Sequence, residues 1–395
     1  MSGGLVKHVI LNSMTTLYID NTEKLLDLVS ALSQAEWLAI DTEFMREKTY
    51  YPQLCLLQIG TPEVTACIDP LILTDMDILL DLIYDPTKIK VMHSGSQDLE
   101  IFYHLRGSLP QPLFDTQIAA PLLGMQEQAG YARLVEEMLG VRLAKVHTRA
   151  DWSHRPLSDA QIQYAADDVI YLCQLYVALR DKLLEKNRLS WLDSDFSALA
   201  DPDRYNNVPE KSWRRVKAGQ KLHGKALSVL QKLAGWREQT AQQQNRPRGW
   251  IIKDDVLIDI ARQQPKELNT LNRIRGLNES IVKKHGQQIL ELIQTAARIP
   301  PEPLPDYIKR NKLSADQEAL VDLMSALVQL RASENEMNAT QLASRKEMQY
   351  LIQGETDLDL TKGWRANMVG FELQQLLDGQ LTLKVENGKL ICTKI

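Results

Sequence analysis

Two acidic residues two positions apart, Asp41 and Glu43, are the first candidates for functional residues in this sequence. They interrupt an otherwise apolar segment, residues 38–44, whose composition predicts a β-strand. Side chains at positions i and i+2 of a strand emerge on the same face, so both carboxylates point the same way. Because buried carboxylates need a partner, the pair either reaches solvent at a strand end or binds something positive. Taken alone, the two explanations are equally good.

A third acid, Asp98, follows a predicted strand at residues 89–92. Ser96 is well suited to cap a helix that begins there, which would place Asp98 in the first helical turn. That position suggests a second carboxylate-bearing element near the strand pair. An acid in the first turn also simply complements the helix dipole, so Asp98 alone indicates little.

Tyr164 and Asp168 are four residues apart in a long helix predicted from about residue 158. This spacing places both side chains on one helix face, whereas Asp167 points elsewhere. A surface acid beside a half-buried tyrosine would give the same pattern.

Four converging carboxylates would repel one another unless cations neutralised them. Oxygen ligands without histidine or cysteine suit Mg²⁺ or Mn²⁺. Two such ions about 3.5–4 Å apart are the arrangement used for in-line phosphoryl displacement. The ordered set of acids therefore favours a two-metal phosphodiesterase site over four unrelated polar residues.

The elements around these residues predict an α/β domain. Three strands in quick succession have short connections and should be antiparallel, and they lie at 38–44, 54–59 and 64–68. A helix at 75–84 and the strand at 89–92 follow, and the chain is then predicted to be mostly helical to residue 186. This order indicates a mixed sheet covered by helices.

Two proline-rich linkers, 201–210 and 299–305, divide the chain into three predicted domains at 1–200, 211–298 and 306–395. Apolar residues recur at helical spacing in the last two, which resemble each other and predict a duplicated all-helical domain. Asn387-Gly388 near the C-terminus is typical of a tight β-hairpin turn.

Composition is that of an ordinary globular protein, and charge is unevenly distributed. Net charge is −11 over residues 1–200, +9 over 201–300 and −3 over 301–395, and a basic segment of this kind suits nucleic-acid binding. Chance clustering on solvated helices is an equal explanation. Four dispersed cysteines argue against zinc and disulfides, and without an apolar leader or membrane-length segment we expect a cytoplasmic, non-membrane protein. A monomer is the default expectation.

In order, Asp-Thr-Glu at 41–43, Gly-Ser-Gln-Asp-Leu at 95–99 and Tyr-x-x-x-Asp at 164–168 resemble the three exonuclease motifs of the tyrosine-containing branch of the DEDD superfamily. Longer segments around residues 49–54, 109–117 and 151–157 are similar to the bacterial ribonuclease D family in particular. The basic segment resembles an HRDC domain, and residues 363–365 resemble the second, more diverged HRDC domain of that family.

The resemblance implies a ribonuclease H-like mixed sheet flanked by helices, followed by two small all-α HRDC-like domains. It also implies that Asp41, Glu43 and Asp168 bind one divalent ion and that Asp41 with Asp98 binds a second. Tyr164 would orient the attacking water, since a phenol is a poor base at neutral pH. The expected activity is 3′→5′ exoribonuclease release of nucleoside 5′-monophosphates from tRNA precursors and other structured RNA 3′ ends.

Substrate contacts are less well defined by the sequence. Thr42 and Phe44 are candidates to seat the terminal nucleotide, with ordinary strand packing as the alternative. His93 is a weaker candidate, better explained as a structural residue at the strand end. Basic loop residues are possible phosphate contacts or merely solvated, and they are Lys145, His147, Arg149 and Arg155. We interpret Asp115 and Asp151 as a helix cap and a structural acid.

Two other functions stay open at this point. One is a DNA 3′→5′ exonuclease resembling those fused to RecQ-type helicases, because nothing in the sequence selects for a 2′-hydroxyl. The other is a non-catalytic RNA-binding adaptor, which would usually have lost some of the metal ligands.

Overall fold

The structure is a computed structural model and describes residues 16–143, 150–303 and 312–395. Its N-terminal unit, residues 16–200, is built on a six-stranded sheet. The strands are β1 (Leu17–Ile19), β2 (Trp37–Met45), β3 (Gln53–Gly60), β4 (Thr65–Ile68), β5 (Ile89–Met92) and β6 (Leu113–Asp115).

The strand order is β1-β4-β3-β2-β5-β6, which makes β2 a central strand. The pairs β2–β3 and β3–β4 are antiparallel, and β1–β4, β2–β5 and β5–β6 are parallel. The predicted mixed sheet, with an antiparallel group at 38–68, is therefore confirmed. The two outer strands were not predicted, because three residues are too few to show alternation.

Seven helices flank this sheet in the described part of the N-terminal unit. They are α1 (Thr22–Leu32), α2 (Asp77–Ile83), α3 (Ser96–Arg106), α4 (Thr116–Ala119), α5 (Tyr131–Leu139), α6 (Asp159–Glu185) and α7 (Asp193–Leu199). The expectation that residues from 96 to 186 are mostly helical is too simple, since β6 and irregular segments lie between α3 and α6.

Helix α6 lies directly against the sheet. It begins with a capping box, in which the Ser158 hydroxyl accepts from the Gln161 backbone and the Gln161 side chain accepts from the Ser158 backbone. At Gly60 the approach is so close that an added Cβ would lie 3.0 Å from Sγ of Cys173 and 3.1 Å from Cβ of Val169. Glycine at this point lets the helix pack close to β2 and β3.

The middle unit, residues 211–298, is helical. Its helices are α8 (Gly224–Gln243), α9 (Arg248–Ile251), α10 (Asp254–Gln263), α11 (Leu268–Asn272) and α12 (Glu279–Ala296). They enclose an apolar cluster that includes Trp213, Leu230 and Ile289. At its edge, Oδ1 of Asn245 accepts hydrogen bonds of 3.1 Å from the backbone N–H groups of Tyr50 and Tyr51, in the loop after β2.

The C-terminal unit, residues 312–395, repeats this order of a 20-residue helix, a four-residue helix and shorter ones. Its helices are α13 (Ala315–Glu334), α14 (Ala339–Leu342), α15 (Arg345–Ile352), α16 (Gly363–Arg365) and α17 (Phe371–Leu377). Strands β7 (Leu381–Glu386) and β8 (Lys389–Lys394) form the predicted hairpin, with Asn387 and Gly388 both at positive φ in its turn.

The C-terminal unit packs on the N-terminal one through a shared apolar cluster that holds residues of both α6 and α13. Trp191 stacks on Trp364 with ring centroids 4.6 Å apart, and Lys186 pairs with Glu336 at 2.6 Å. Because this core is continuous, the boundaries at 200 and 306 remain a prediction. Among the described residues, none of the helices is long and apolar enough to span a membrane.

Candidate active site

Strand β2 and helix α6 bring three carboxylates together. Asp41 and Glu43 share the face of β2 that α6 covers, and a register shift in the pairing with β3 follows Glu43 directly. Asp168 lies on α6 next to Val169, one of the residues that pack against Gly60 of β3. One oxygen from each of the three carboxylates lies within 4.8 Å of the others. Asp41, Glu43 and Asp168 are called the acidic cluster below.

Asp98 reaches the side of this cluster from another element. Parallel pairing between β2 and β5 ends at Ala39 with Val91, and the chain after β5 turns into α3. Asp98 in the first turn of α3 is 8% exposed and accepts a hydrogen bond from the Thr42 hydroxyl. Thr42 on β2 therefore fixes the position of the Asp98 carboxylate.

Burial raises the pKa values of all four acids, and the charges of nearby carboxylates raise them further. Burial is the largest cause in each case, and it raises the pKa of Glu43 to about 8, of Asp168 to about 7 and of Asp98 to about 6. The pKa of Asp41 is also raised well above its usual range, by burial and then by the charges of Asp168, Asp98 and Glu43. Such a site favours protons or cations over four bare charges.

Tyr164 faces the same cluster, as its spacing from Asp168 predicts. Burial, followed by the charges of Asp168, Glu43 and Asp41, raises the pKa of the Tyr164 phenol. The phenol therefore keeps its proton at neutral pH and acts as a hydrogen-bond donor. Its ring lies against Trp152, with ring centroids 6.1 Å apart.

Two residues near the acids were missed by the sequence analysis. The Tyr131 hydroxyl donates to the backbone carbonyl of Asp168 and ties α5 to α6. Gln58 is the cross-strand partner of Asp41, is fully buried, and its side-chain amide has no hydrogen-bond partner within the described ranges. Both contacts join residues that are distant in the chain, so no short-range sequence pattern indicates them.

The substrate candidates are placed differently from one another. The Thr42 side chain is buried on Asp98, so only its backbone is left for a nucleotide, while Phe44 is half-buried. Nδ1 of His93 lies 2.9 Å from Oγ1 of Thr116 and its ring packs on Tyr131, as expected of a structural residue. Arg149, Lys145 and His147 lie outside the described residues.

Two expectations about polar residues are wrong. Ser96 does not cap α3: Gly95 is the N-cap residue, and the Asp115 carboxylate accepts from the backbone N–H groups of Ser94 and Gly95. Arg155 is neither a phosphate contact nor a solvated residue, because its guanidinium forms an ion pair with Asp69, whose side chain is fully buried. Asp115 also caps α4 through the Gln117 N–H, as predicted.

The acidic cluster fits divalent cations. Within the described ranges it consists of carboxylates alone, on a strand and a helix whose positions packing fixes. Hard oxygen donors of this kind bind ions such as Mg²⁺, and a cation would remove the repulsion that raises their pKa values. The arrangement therefore indicates use of a divalent metal.

Comparison with known proteins agrees with this geometry. Residues 17–184 match the family model described as 3'-5' exonuclease, and residues 226–293 match the HRDC domain. The first range contains all four acids and Tyr164, and the second covers the helices of the middle unit from α8 to α12. The fold and the acidic cluster thus define a 3′→5′ exonuclease with an attached HRDC domain.

Relatives that match over nearly their full length identify the family within this class of exonucleases. Ribonuclease D of Zymomonas mobilis is 41% identical over 95% of this chain and 98% of its own, and that of Sphingobium indicum is 38% identical over 95% and 98%. The crystal structure of Escherichia coli RNase D, an exoribonuclease involved in structured RNA processing, has a TM-score of 0.78 and 32% identity over 93% of this chain and 99% of that one. This chain belongs to the ribonuclease D family and is a 3′→5′ exoribonuclease.

Proposed function

We propose that the protein uses two divalent ions, Mg²⁺ or Mn²⁺, to remove nucleotides from RNA 3′ ends as nucleoside 5′-monophosphates. The observation that carries this proposal is the acidic cluster, in which oxygens of three half-buried carboxylates lie within 4.8 Å of one another. Its proposed RNA substrates are structured 3′ ends, by analogy with Escherichia coli RNase D, and among them tRNA precursors, as the family resemblance implies. We expect the enzyme to act as a monomer.

In the proposed site, Asp41, Glu43 and Asp168 hold one ion, and Asp41 with Asp98 holds the other. Bound ions of this kind lower the pKa of water and stabilise negative charge on phosphate oxygens. The protein positions the carboxylates that would bind these ions. Strand β2 presents two of them on one face, α6 supplies the third, and Thr42 fixes the position of Asp98. The protonated Tyr164 phenol donates a hydrogen bond that orients the attacking water.

The terminal nucleotide is proposed to sit beside β2. Phe44, directly after the Glu43 position, is suited to stack on a base, and the Thr42 backbone is suited to contact the nucleotide. His93 supports Thr116 instead, and Arg149 remains a candidate phosphate contact. These contacts would place the last phosphodiester bond over the acidic cluster.

The direct test is a digest by the full chain of RNA and DNA strands of one sequence, labelled at the 3′ end. We expect rapid release of labelled 5′-monophosphate from RNA with Mg²⁺ or Mn²⁺, and none with EDTA or with the Asp41→Ala variant. Activity that survives EDTA or the substitution would contradict the two-ion site. Faster digestion of DNA would support the DNA exonuclease alternative, and RNA binding without hydrolysis would support the adaptor.

Tyr164→Phe tests the water-orienting role. We expect kcat to fall about 10- to 100-fold, because the water loses one orienting hydrogen bond while the ligands of the ions are unchanged. The metal concentration for half-maximal activity should stay the same, as measured by Mg²⁺ titration of single-turnover rates. A parallel loss of metal affinity would show that the phenol instead supports the ion site.

The middle unit offers a basic surface for RNA. The loop after α8 carries exposed Arg246, and the next helix, α9, carries half-buried Arg248 and Trp250, which is 58% exposed. This combination is suited to phosphates and a stacked base. We expect Arg246→Ala with Arg248→Ala to weaken RNA binding and to flatten the slope of log K against log salt by about 0.7 per lost contact. Lys384→Ala with Lys389→Ala, in the C-terminal hairpin, is the equal-charge control and should leave that slope unchanged.

A further inference from the structure

One arginine organises the segment that precedes α6. All five N–H donors of Arg155 have acceptors: Nε and Nη2 bind the two oxygens of Asp69 at 2.5 and 2.8 Å, and Nη2 also binds the carbonyl of Cys55 at 2.6 Å. Nη1 binds the carbonyls of Trp152 and His154, both at 2.8 Å. The fork of a guanidinium can make these contacts together, whereas a lysine ammonium cannot.

The other end of this network is fixed to the sheet. Asp69 directly follows β4, its side chain is fully buried, and it also accepts from the Tyr18 hydroxyl and from the Leu71 N–H at 3.0 Å. Burial opposes its ionisation, but the hydrogen bonds from Arg155 and Tyr18 outweigh burial and lower the pKa of Asp69. The carboxylate is therefore charged at neutral pH and holds Arg155 against β3 and β4.

Trp152 connects the Arg155–Asp69 network to Tyr164 in the active site. It is 3% exposed, its carbonyl is held by Arg155, and its ring is inclined by 33° to the Tyr164 ring at a centroid distance of 6.1 Å. The two rings belong to a small apolar cluster with Cys55, Leu56 and Ala165. The contact thus links strand β3, the segment after residue 150 and the second turn of α6.

A helix alone does not fix where the Tyr164 hydroxyl lies. The backbone of α6 sets Cα and Cβ, but two side-chain torsions decide the direction of the phenol, and packing has to select one rotamer. We propose that Trp152, held by Arg155 and Asp69, is a positioning residue that keeps Tyr164 aimed at the acidic cluster. This inference rests on the water-orienting role proposed above for Tyr164.

A double-mutant cycle tests it on the full-length enzyme. Trp152→Leu should lower kcat for 3′-labelled RNA about 10-fold, with KM and the half-saturating Mg²⁺ concentration unchanged, because only the phenol is displaced. In the Tyr164→Phe background, where no hydroxyl remains to be aimed, the same substitution should change kcat by less than about twofold. Trp152→Phe, which keeps an aromatic ring, should restore most of the lost turnover.

Trp37→Leu is the matched control. Trp37 also packs a ring on a tyrosine of α6, Tyr176, at 4.8 Å, but far along the helix from Asp168. Both tryptophan variants should lower the unfolding temperature, and only Trp152→Leu should show a loss of kcat that Tyr164→Phe abolishes. If Trp152→Leu does not fold, Arg155→Lys replaces it in the two backgrounds and is judged by the same criterion, with Trp152→Phe as the variant expected to keep most of its turnover.

The outcomes separate the two proposals. Full turnover by Tyr164→Phe would overturn the role given to Tyr164 under the proposed function. A clear effect of Tyr164→Phe, combined with a Trp152→Leu effect that is absent or equal in both backgrounds, would overturn the positioning role alone.

Discussion

Asp168→Asn is expected to lower kcat at least about 10³-fold, whereas Asp167→Asn should stay within about threefold of the wild type. Asp168 supplies one of the three oxygens that lie within 4.8 Å of one another. Its neighbour instead accepts a hydrogen bond of 2.8 Å from the Gln163 side chain. A loss of 10³ corresponds to about 4 kcal/mol of transition-state stabilisation, a plausible share for a ligand of a catalytic ion.

The adjacent aspartates make this comparison sharp. Both substitutions remove one negative charge from the same turn of α6, so helix propensity, net charge and the field on RNA change almost equally. The measurement is single-turnover hydrolysis of 3′-labelled RNA at saturating Mg²⁺, with binding followed separately in Ca²⁺ or EDTA. Similar losses for both variants would mean that local charge, rather than coordination by Asp168, supports the reaction.

Much of the sheet could be predicted because its longer strands alternate or are uniformly apolar. β2, β3 and β4 are separated by turn residues, so both their existence and their antiparallel pairing follow from local sequence. Strands β1 and β6 have three residues each and are defined only by their pairing with β4 and β5. Such strands exist through tertiary contacts, which a single sequence does not display.

The acidic cluster was predictable to the extent that its spacing is local. The i, i+2 relation of Asp41 and Glu43 and the i, i+4 relation of Tyr164 and Asp168 follow from strand and helix geometry. The prediction that these two pairs and Asp98 form one site depended on the order of motifs in a known family. The Thr42–Asp98 hydrogen bond depends on how α3 packs beside β2, which no spacing rule gives.

Arg155 shows why isolated cations are hard to interpret from sequence. In a loop with other basic residues it suggests a phosphate contact, yet its partner is Asp69, 86 residues away. Only the return of the chain past the end of β4 brings the two together. The charge pattern is the same for a solvated arginine and for a buried ion pair, and burial alone separates them.

We also expect a large effect of the acidic cluster on the stability of the metal-free protein. The pKa of Glu43 is raised to about 8 and that of Asp168 to about 7, first by burial and then by neighbouring charges. The folded protein therefore binds more protons than the unfolded chain between pH ~4.5 and 8. The free energy of unfolding contributed by these groups falls as pH rises through that range. Without metal, the active-site carboxylates therefore favour the folded state least at pH 8 and above.

Glu43→Gln removes one half-buried charge and should stabilise the metal-free protein. We expect the unfolding free energy in EDTA to rise by about 1–3 kcal/mol at pH 8, with the difference shrinking towards pH 4.5, where Glu43 is protonated in the folded wild type and about half protonated in the unfolded chain. Urea unfolding at the two pH values measures this. Glu63→Gln, at an exposed position in the β3–β4 turn, is the control and should change stability little at either pH.

Divalent cations should reverse the order of the two proteins. A ligand that binds only the folded state adds about 2.7 kcal/mol at 100 times its dissociation constant, so Mg²⁺ or Mn²⁺ should stabilise the wild type by this order. Glu43→Gln has lost a charged ligand and should gain much less. A variant that is more stable than the wild type in EDTA, less stable in saturating Mn²⁺ and nearly inactive would show that the same carboxylates destabilise the fold and bind the ions. Equal stability of the two proteins at pH 8 in EDTA would mean instead that solvent already screens the cluster, and that repulsion among the acids contributes little to metal binding.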